Sequence, residues 1–129
     1  MTLIDTSAWI EFLRREGDRQ VKGRVASLID LGEAAVCGPV EFELLVGARA
    51  SERADLQEAI SLCHPLEFTL PCWRRAADLE RELRTKGVTV PRDDVFVAAA
   101  ALTHQVPLLA CDSHFELMRS KGSLALELA

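Results

Sequence analysis

The chain has 129 residues, which is enough for one domain with a buried core, and we expect residues 1–129 to form that single domain. A composition that is 49% hydrophobic and 27% charged is typical of a globular protein and excludes a disordered one. The net charge of −5 disfavours binding of nucleic acid by bulk electrostatics alone, but it is compatible with a site where cations lie between carboxylates and phosphate.

The cysteines and the first residues of the chain predict its cellular compartment. The four cysteines are far apart and form no C-x-x-C pair, which argues against a zinc site and against a disulfide framework. Residues 1–5 predict a buried strand rather than the basic start of a signal peptide. The longest apolar run, residues 95–102, is too short to span a bilayer. We therefore expect a cytoplasmic protein with reduced thiols.

In the first half of the chain, short apolar strands alternate with amphipathic helices. The first helix should be capped by Thr6 or Ser7, and the second should stop at Gly32. Pro39 stands where a third helix can begin. The predicted elements are strands at residues 3–5 and 34–37, a helix that carries Trp9 to Leu13, and helices at about residues 18–31 and 41–50.

The second half continues the same alternation. Pro71 opens a helix that Lys86 and Gly87 close, and residues 93–103 are apolar on nearly every side, as in a buried helix. We also predict a helix at about residues 51–63, a short strand within 64–69, a strand at 107–112 and a last strand at 124–128. This pattern predicts an α/β fold, with a mostly parallel central sheet of four or five strands between layers of helices.

Acidic residues follow the predicted strands or begin the predicted helices. Asp5 and Asp112 each come directly after an apolar strand, and the carboxyl ends of parallel strands form the ligand crevice of such sheets. Carboxylates brought together repel each other unless a cation bridges them, and Mg²⁺ or Mn²⁺ prefers such oxygen ligands. Helix capping alone also explains an acid at each of these positions. Asp94 favours the metal site, because it opens an apolar helix and a buried carboxylate needs a partner.

Four motifs resemble those of the PIN-domain ribonucleases, and in particular the VapC toxins of bacterial toxin–antitoxin pairs. They are Leu-Ile-Asp5-Thr-Ser7, Glu43-Leu-Leu-Val-Gly47, Asp94-x-x-Val-Ala-Ala and Leu-Leu-x-x-Asp112-x-x-Phe115. The resemblance implies a PIN-like three-layer fold and Mg²⁺- or Mn²⁺-dependent hydrolysis of phosphodiester bonds in RNA, with tRNA as one candidate substrate. It also implies a homodimer and a small VapB-like antitoxin. The catalytic and metal-binding residues that it implies are Asp5, Glu43, Asp94 and Asp112.

The motif match also ranks neighbouring residues. It favours Glu43 over Glu41 and Asp94 over Asp93, with Asp93 expected to be a helix cap. Gly47, on the face of Glu43, is expected to let its helix approach a neighbour closely. The resemblance implies a supporting hydroxyl at Thr6 or Ser7.

One departure from the family pattern weakens the fourth motif. Ala110 replaces a threonine that often precedes the fourth acid of the family, so Asp112 is expected to contribute least. No histidine has metal-ligand spacing, and His114 is expected to flank the site passively.

Two other kinds of protein compete with the nuclease. A non-catalytic PIN-like module that binds RNA or protein is disfavoured, because it has no need to keep four repelling carboxylates at one edge. A phosphate-accepting α/β domain is disfavoured too. The phosphatase motif of such domains requires an acid at position 7, which is Ser7, and a receiver requires its acid pair earlier than Asp93 and Asp94.

Overall fold

The computed structural model of the protein describes residues 1–122 and 125–129. The strands are β1 (Thr2–Ile4), β2 (Ala34–Cys37), β3 (His64–Leu66) and β4 (Leu108–Leu109). The helices are α1 (Thr6–Leu13), α2 (Arg19–Asp30), α3 (Gly38–Gly47), α4 (Arg53–Ser61), α5 (Leu70–Thr85), α6 (Arg92–His104) and α7 (Ser113–Ser120).

The four strands form one parallel sheet in the order β3-β2-β1-β4. Leu3 of β1 pairs with Ala35 on one side and with Leu108 on the other. The chain therefore moves outward from β1 to β3 and then returns to the opposite edge with β4. The predicted α/β fold with a parallel sheet is confirmed.

The direction of these crossovers determines the layers. Parallel crossovers are almost always right-handed, so connections that run in opposite directions along a sheet lie on opposite faces. Helices α1–α4 join β1 to β2 and β2 to β3, and α5–α6 join β3 to β4 in the reverse direction. Helix α1 accordingly packs on α2, and α5 packs on α6. The strand order reverses between β1 and β4, which is where ligands bind in open parallel sheets.

The core lies between the sheet and both helix layers. All three residues of β1 and all four of β2 are buried, as expected for strands covered on both faces. Helix α6 is buried along residues 97–101, so the prediction of an apolar, enclosed helix is confirmed. Within the described ranges, no helix is long and apolar enough to cross a membrane.

Several local predictions differ from the structure. The N-cap of α1 is Asp5, not Thr6 or Ser7, because its carboxylate accepts a hydrogen bond from the backbone N–H of Ser7. Helix α7 was not predicted, although Phe115 and Met118 bury one of its faces. The predicted last strand starts at Leu124, outside the described residues, and its end is present as a parallel bridge between Leu128 and Leu108.

Candidate metal centre

Asp5 and Asp112 lie at the carboxyl ends of the two adjacent strands where the sheet order reverses. The backbone N–H of Asp5 donates to the carbonyl of Leu109 at 2.9 Å, so β1 and β4 stay paired up to the first acid. Asp5 is the N-cap of α1 and Asp112 is the N-cap of α7. Each acid therefore caps a helix, which confirms the capping explanation at these positions, while metal binding stays a prediction.

Asp5 is almost fully buried, and Ser7 holds its carboxylate. The hydroxyl of Ser7 donates to Oδ2 of Asp5 at 2.6 Å, and the backbone N–H of Ser7 donates to the same oxygen at 3.0 Å. The Ser7 hydroxyl also accepts a hydrogen bond from the backbone N–H of Cys111 at 2.9 Å. Burial raises the pKa of Asp5, the hydrogen bonds from Ser7 oppose that effect, and the charge of Asp112 adds to it.

Glu43 approaches the same edge from the second turn of α3. The hydroxyl of Thr6 donates to Oε1 of Glu43 at 3.3 Å, which links the start of α1 to α3. Burial raises the pKa of Glu43, and the charges of Asp93, Asp5 and Asp94 raise it further. The predicted support from the hydroxyls after Asp5 is confirmed, with Ser7 serving Asp5 and Thr6 serving Glu43.

The expected role of Gly47 is wrong. A β-carbon at this position would meet no described atom within 4 Å, so the absence of a side chain does not bring α3 closer to a neighbour.

Asp94 lies in the first turn of α6, and its side chain is 13% exposed. Burial raises its pKa to about 6, and the charges of Asp112 and Asp5 contribute while the hydrogen bond with His114 opposes them. Asp93 is exposed and does not cap the helix as predicted, because the N-cap position is Pro91. Charges from the residues that follow β1 and β4 therefore both act on Asp94.

His114 contacts two of the predicted acids directly. Its Nδ1 lies 2.8 Å from Oδ2 of Asp94 and 2.7 Å from Oδ1 of Asp112. Desolvation lowers the pKa of His114, but the hydrogen bond with Asp94 and the charge of Asp112 outweigh it and raise the pKa. The expectation that His114 only flanks the site passively is therefore wrong. A signal for its proximity was present in the sequence, because an N-cap carboxylate accepts a hydrogen bond from the backbone N–H two residues on, which is that of His114.

Donor atoms of Asp94, Asp112 and His114 lie within 4.8 Å of one another, as the ligands of a single ion would. Asp5 and Glu43 are outside this group but near it, since the charge of Asp5 raises the pKa values of both Glu43 and Asp94. We call Asp5, Glu43, Asp94 and Asp112 the acidic ring. In the part of the chain that the structure describes, no Lys or Arg forms a salt bridge with these four acids. This donor set fits a divalent cation, which neutralises the ring and binds oxygen.

An apolar cavity of about 320 Å³ opens beside Glu43. Three aromatic rings in edge-to-face contact line it, those of Phe68, Trp73 and Phe96. Phe42, which is 70% exposed, also lines the cavity, as do Gly38, Pro39, Glu43 and Asp93. We use the name aromatic patch for the exposed apolar side chains that line the cavity, Phe42 and Trp73, together with the exposed Val46 on α3 and Leu70 on α5.

Comparison with known proteins gives a consistent result. The family model of the PIN domain matches residues 2–121. Ribonuclease VapC19 of Mycobacterium tuberculosis is 33% identical over 119 residues, which cover 91% of this chain and 94% of that protein. Ribonuclease VapC11 of the same organism is 29% identical over 127 residues, which cover 92% and 91% of the two chains.

Solved structures share the fold. The DNA-bound VapBC complex of Salmonella typhimurium contains a chain that superposes with a TM-score of 0.81 at 18% identity, covering 99% of this chain and 96% of that one. The FitAcB structure from Neisseria gonorrhoeae gives a TM-score of 0.79 at 22% identity, covering 98% and 96%.

Proposed function

The chain belongs to the PIN domain family, and we propose that it is a metal-dependent endoribonuclease that acts as the toxin of a VapBC-type toxin–antitoxin pair. The observation that carries this proposal is the close group of Asp94, Asp112 and His114, near Asp5 and Glu43, with no Lys or Arg in a salt bridge to any of the four acids among the described residues. Its relatives VapC11 and VapC19 are named ribonucleases. We propose RNA, with tRNA as one candidate, as the substrate.

The residues of the ring would hold Mg²⁺ or Mn²⁺. Such an ion acidifies a bound water and neutralises charge on the phosphate in the transition state. The chain's own residues contribute by positioning the four acids. Ser7 fixes the carboxylate of Asp5, Thr6 orients Glu43, and the first turns of α6 and α7 present Asp94 and Asp112. Hydrolysis by an activated water requires no nucleophilic side chain.

We also propose that a small antitoxin inhibits the enzyme by placing a basic side chain in the acidic ring. Two observations support this. The ring gathers four carboxylates on a protein whose net charge is already −5, and a guanidinium pairs with carboxylates in a two-pronged geometry. The Salmonella typhimurium structure with the same fold is a VapBC complex.

We also propose that the chain forms a homodimer, with the aromatic patch as its contact surface. Phe42 and Val46 are each 70% exposed on one face of α3, and Leu70 and Trp73 are more than half exposed at the start of α5. Exposed apolar side chains clustered in this way mark contact surfaces, because a monomer gains nothing by leaving them in water. The cavity lining joins the patch to Glu43 and Asp93, so dimerisation would place the two metal centres near the shared surface.

The deciding experiment pairs growth arrest with cleavage in vitro. Expression of the chain alone should stop bacterial growth, and the purified protein should cut structured RNA in Mg²⁺ or Mn²⁺. Asp94→Asn should abolish both effects, whereas Asp93→Asn, a matched change at the exposed neighbouring position, should leave both close to normal. A folded wild-type protein that binds RNA or a protein without cutting would support the non-catalytic alternative. If Asp93→Asn were inactive and Asp94→Asn active, the assignment in the third motif would be off by one residue.

A further inference from the structure

We propose that His114 is itself a ligand of the metal, through Nδ1, and that the site therefore takes a first-row transition ion such as Mn²⁺ in preference to Mg²⁺. This inference rests on the proposed metal-dependent function and adds a residue that the motif match does not supply.

The first observation is the position of Nδ1. It lies 2.8 Å from Oδ2 of Asp94 and 2.7 Å from Oδ1 of Asp112, between two carboxylates. Neighbouring ligands of an octahedral ion with bonds of about 2.1 Å lie roughly 3.0 Å apart. Two of the three donor-to-donor distances are thus already close to that spacing, and all three atoms lie within 4.8 Å of one another, so a small outward movement of each admits an ion.

The second observation is that the backbone of α7 fixes the position of the His114 imidazole. His114 is the second residue of α7, and its backbone N–H donates at 2.8 Å to the same Oδ1 of Asp112 that its ring contacts. The next residue, Phe115, is fully buried and anchors this turn. The imidazole and the capping carboxylate are therefore presented by one turn of backbone, as a preorganised pair of ligands rather than as a mobile surface side chain.

The chemistry of the donors gives the preference among metals. Mg²⁺ takes oxygen ligands almost exclusively, whereas imidazole nitrogen binds first-row transition ions with increasing strength along the series from Mn²⁺. Replacing one oxygen by an imidazole in a ring of carboxylates lowers affinity for Mg²⁺ relative to those ions. A site of Asp5, Glu43, Asp94 and Asp112 alone would lack this bias.

Electron spin-echo envelope modulation on the Mn²⁺-loaded, untagged full chain tests the proposal directly, since it detects nitrogen bound to the ion. We expect a ¹⁴N signal that changes to that of ¹⁵N when histidine is labelled. The signal should vanish in His114→Gln and in His114→Asn, and it should persist in His64→Gln, a change at an exposed histidine on β3. Circular dichroism on each variant separates loss of the ligand from loss of the fold.

Affinities provide the second measurement, obtained from the free Mn²⁺ signal and from competition by Mg²⁺. His114→Asn places an amide where Nδ1 lies, so we expect about tenfold weaker Mn²⁺ binding but less than about threefold change for Mg²⁺.

Three outcomes would overturn the proposal. Bound Mn²⁺ without nitrogen coupling, or coupling that survives in both His114 variants, would remove His114 from the shell and leave the ribonuclease assignment intact. Absence of Mn²⁺ binding together with absence of RNA cleavage would contradict both the role of His114 and the ribonuclease assignment.

Discussion

The hydroxyl of Ser7 donates a 2.6 Å hydrogen bond to Oδ2 of Asp5. This hydrogen bond is the shortest of those that position the four acids, and Asp5 is the most buried of the four. Because the same hydroxyl accepts from the backbone N–H of Cys111, it also ties the end of β1 to the segment that follows β4. Ser7 thus fixes the relative position of two strand ends that each deliver an acid to the ring.

Replacing Ser7 should therefore affect both stability and metal binding. Ser7→Ala removes one hydrogen bond to a buried carboxylate and one from a backbone N–H, so we expect a loss of about 1–3 kcal/mol in the free energy of unfolding. Urea denaturation measures it, and calorimetry should show weaker Mn²⁺ binding. The control is Ser61→Ala, which removes an exposed hydroxyl that donates to the carbonyl of Glu58 and should change stability by less than about 0.5 kcal/mol. Equal losses in the two variants would contradict the role given to Ser7.

Divalent metal should raise the melting temperature of the wild-type protein, because a ligand that binds only the folded state stabilises it. At a metal concentration near 100 times the Kd the gain is about 2.7 kcal/mol. EDTA should reverse the effect, and Asp94→Asn should show little of it. A thermal scan of wild type without any shift in millimolar Mg²⁺ or Mn²⁺ would count against the metal centre.

The acids of the ring should differ in their contribution to cleavage. Asp5→Asn and Asp94→Asn each remove a full charge at a buried or nearly buried position, so RNA cleavage should fall below detection while circular dichroism stays native. Asp112 is more exposed than Asp94, so Asp112→Asn should cost only about 10–100-fold. Glu41→Gln is the control, and near-normal cleavage by it is expected. If Glu41→Gln lost more RNA cleavage than Glu43→Gln, then Glu41 and not Glu43 would be the acid of the site.

Metal affinity should fall as the pH drops from neutral through about 6, because protons compete with the ion at two residues. Protons bind first to His114, whose pKa, despite desolvation, is raised by the contacts with Asp94 and Asp112, and then to Asp94, whose pKa burial and neighbouring charge raise to about 6. The metal-free protein should show the opposite trend. The folded state holds the Asp94 proton more tightly than the unfolded state, where the pKa is near 3.8, so this carboxyl destabilises the fold above about pH 6. In EDTA, Asp94→Asn should therefore be more stable than wild type near neutral pH, and the difference should shrink towards about pH 4. A difference that does not vary with pH would contradict the raised pKa.

A charged residue in the aromatic patch should disrupt the proposed dimer. Trp73→Glu puts a carboxylate at a side chain that is 51% exposed and faces the cavity, and light scattering should then report a monomer. Leu31→Glu is the control, at the C-cap of α2, where the replaced side chain is 66% exposed and lines a different cavity. Loss of the dimer in Leu31→Glu but not in Trp73→Glu would move the interface to the cavity beside Leu31.

The sequence predicts the strands and most helices because their periodicity and stop signals are local. Strand β2 begins and ends where predicted, at Ala34 and Cys37. Helix α7 was missed because Asp112 was read as the end of a strand, and β4 stops at Leu109, three residues earlier.

The site is harder to predict than the elements. The spacing of acids predicts that they converge, but the contact of His114 with Asp94 joins residues on two helices, which only tertiary packing brings together. The link from Ser7 to Cys111 is equally non-local.

The strand order β3-β2-β1-β4 also determines at which stage of folding the acids of the site come together. Leu3 and Leu108 pair across nearly the whole length of the chain, and such distant contacts form slowly because a long loop must close first. A partly folded chain in which only β1 and β2 have paired would bring together Asp5 and Glu43 but not Asp112. We expect hydrolytic capacity to appear only with the long-range closure of the sheet, so that incompletely folded chains would be inert and need no inhibitor.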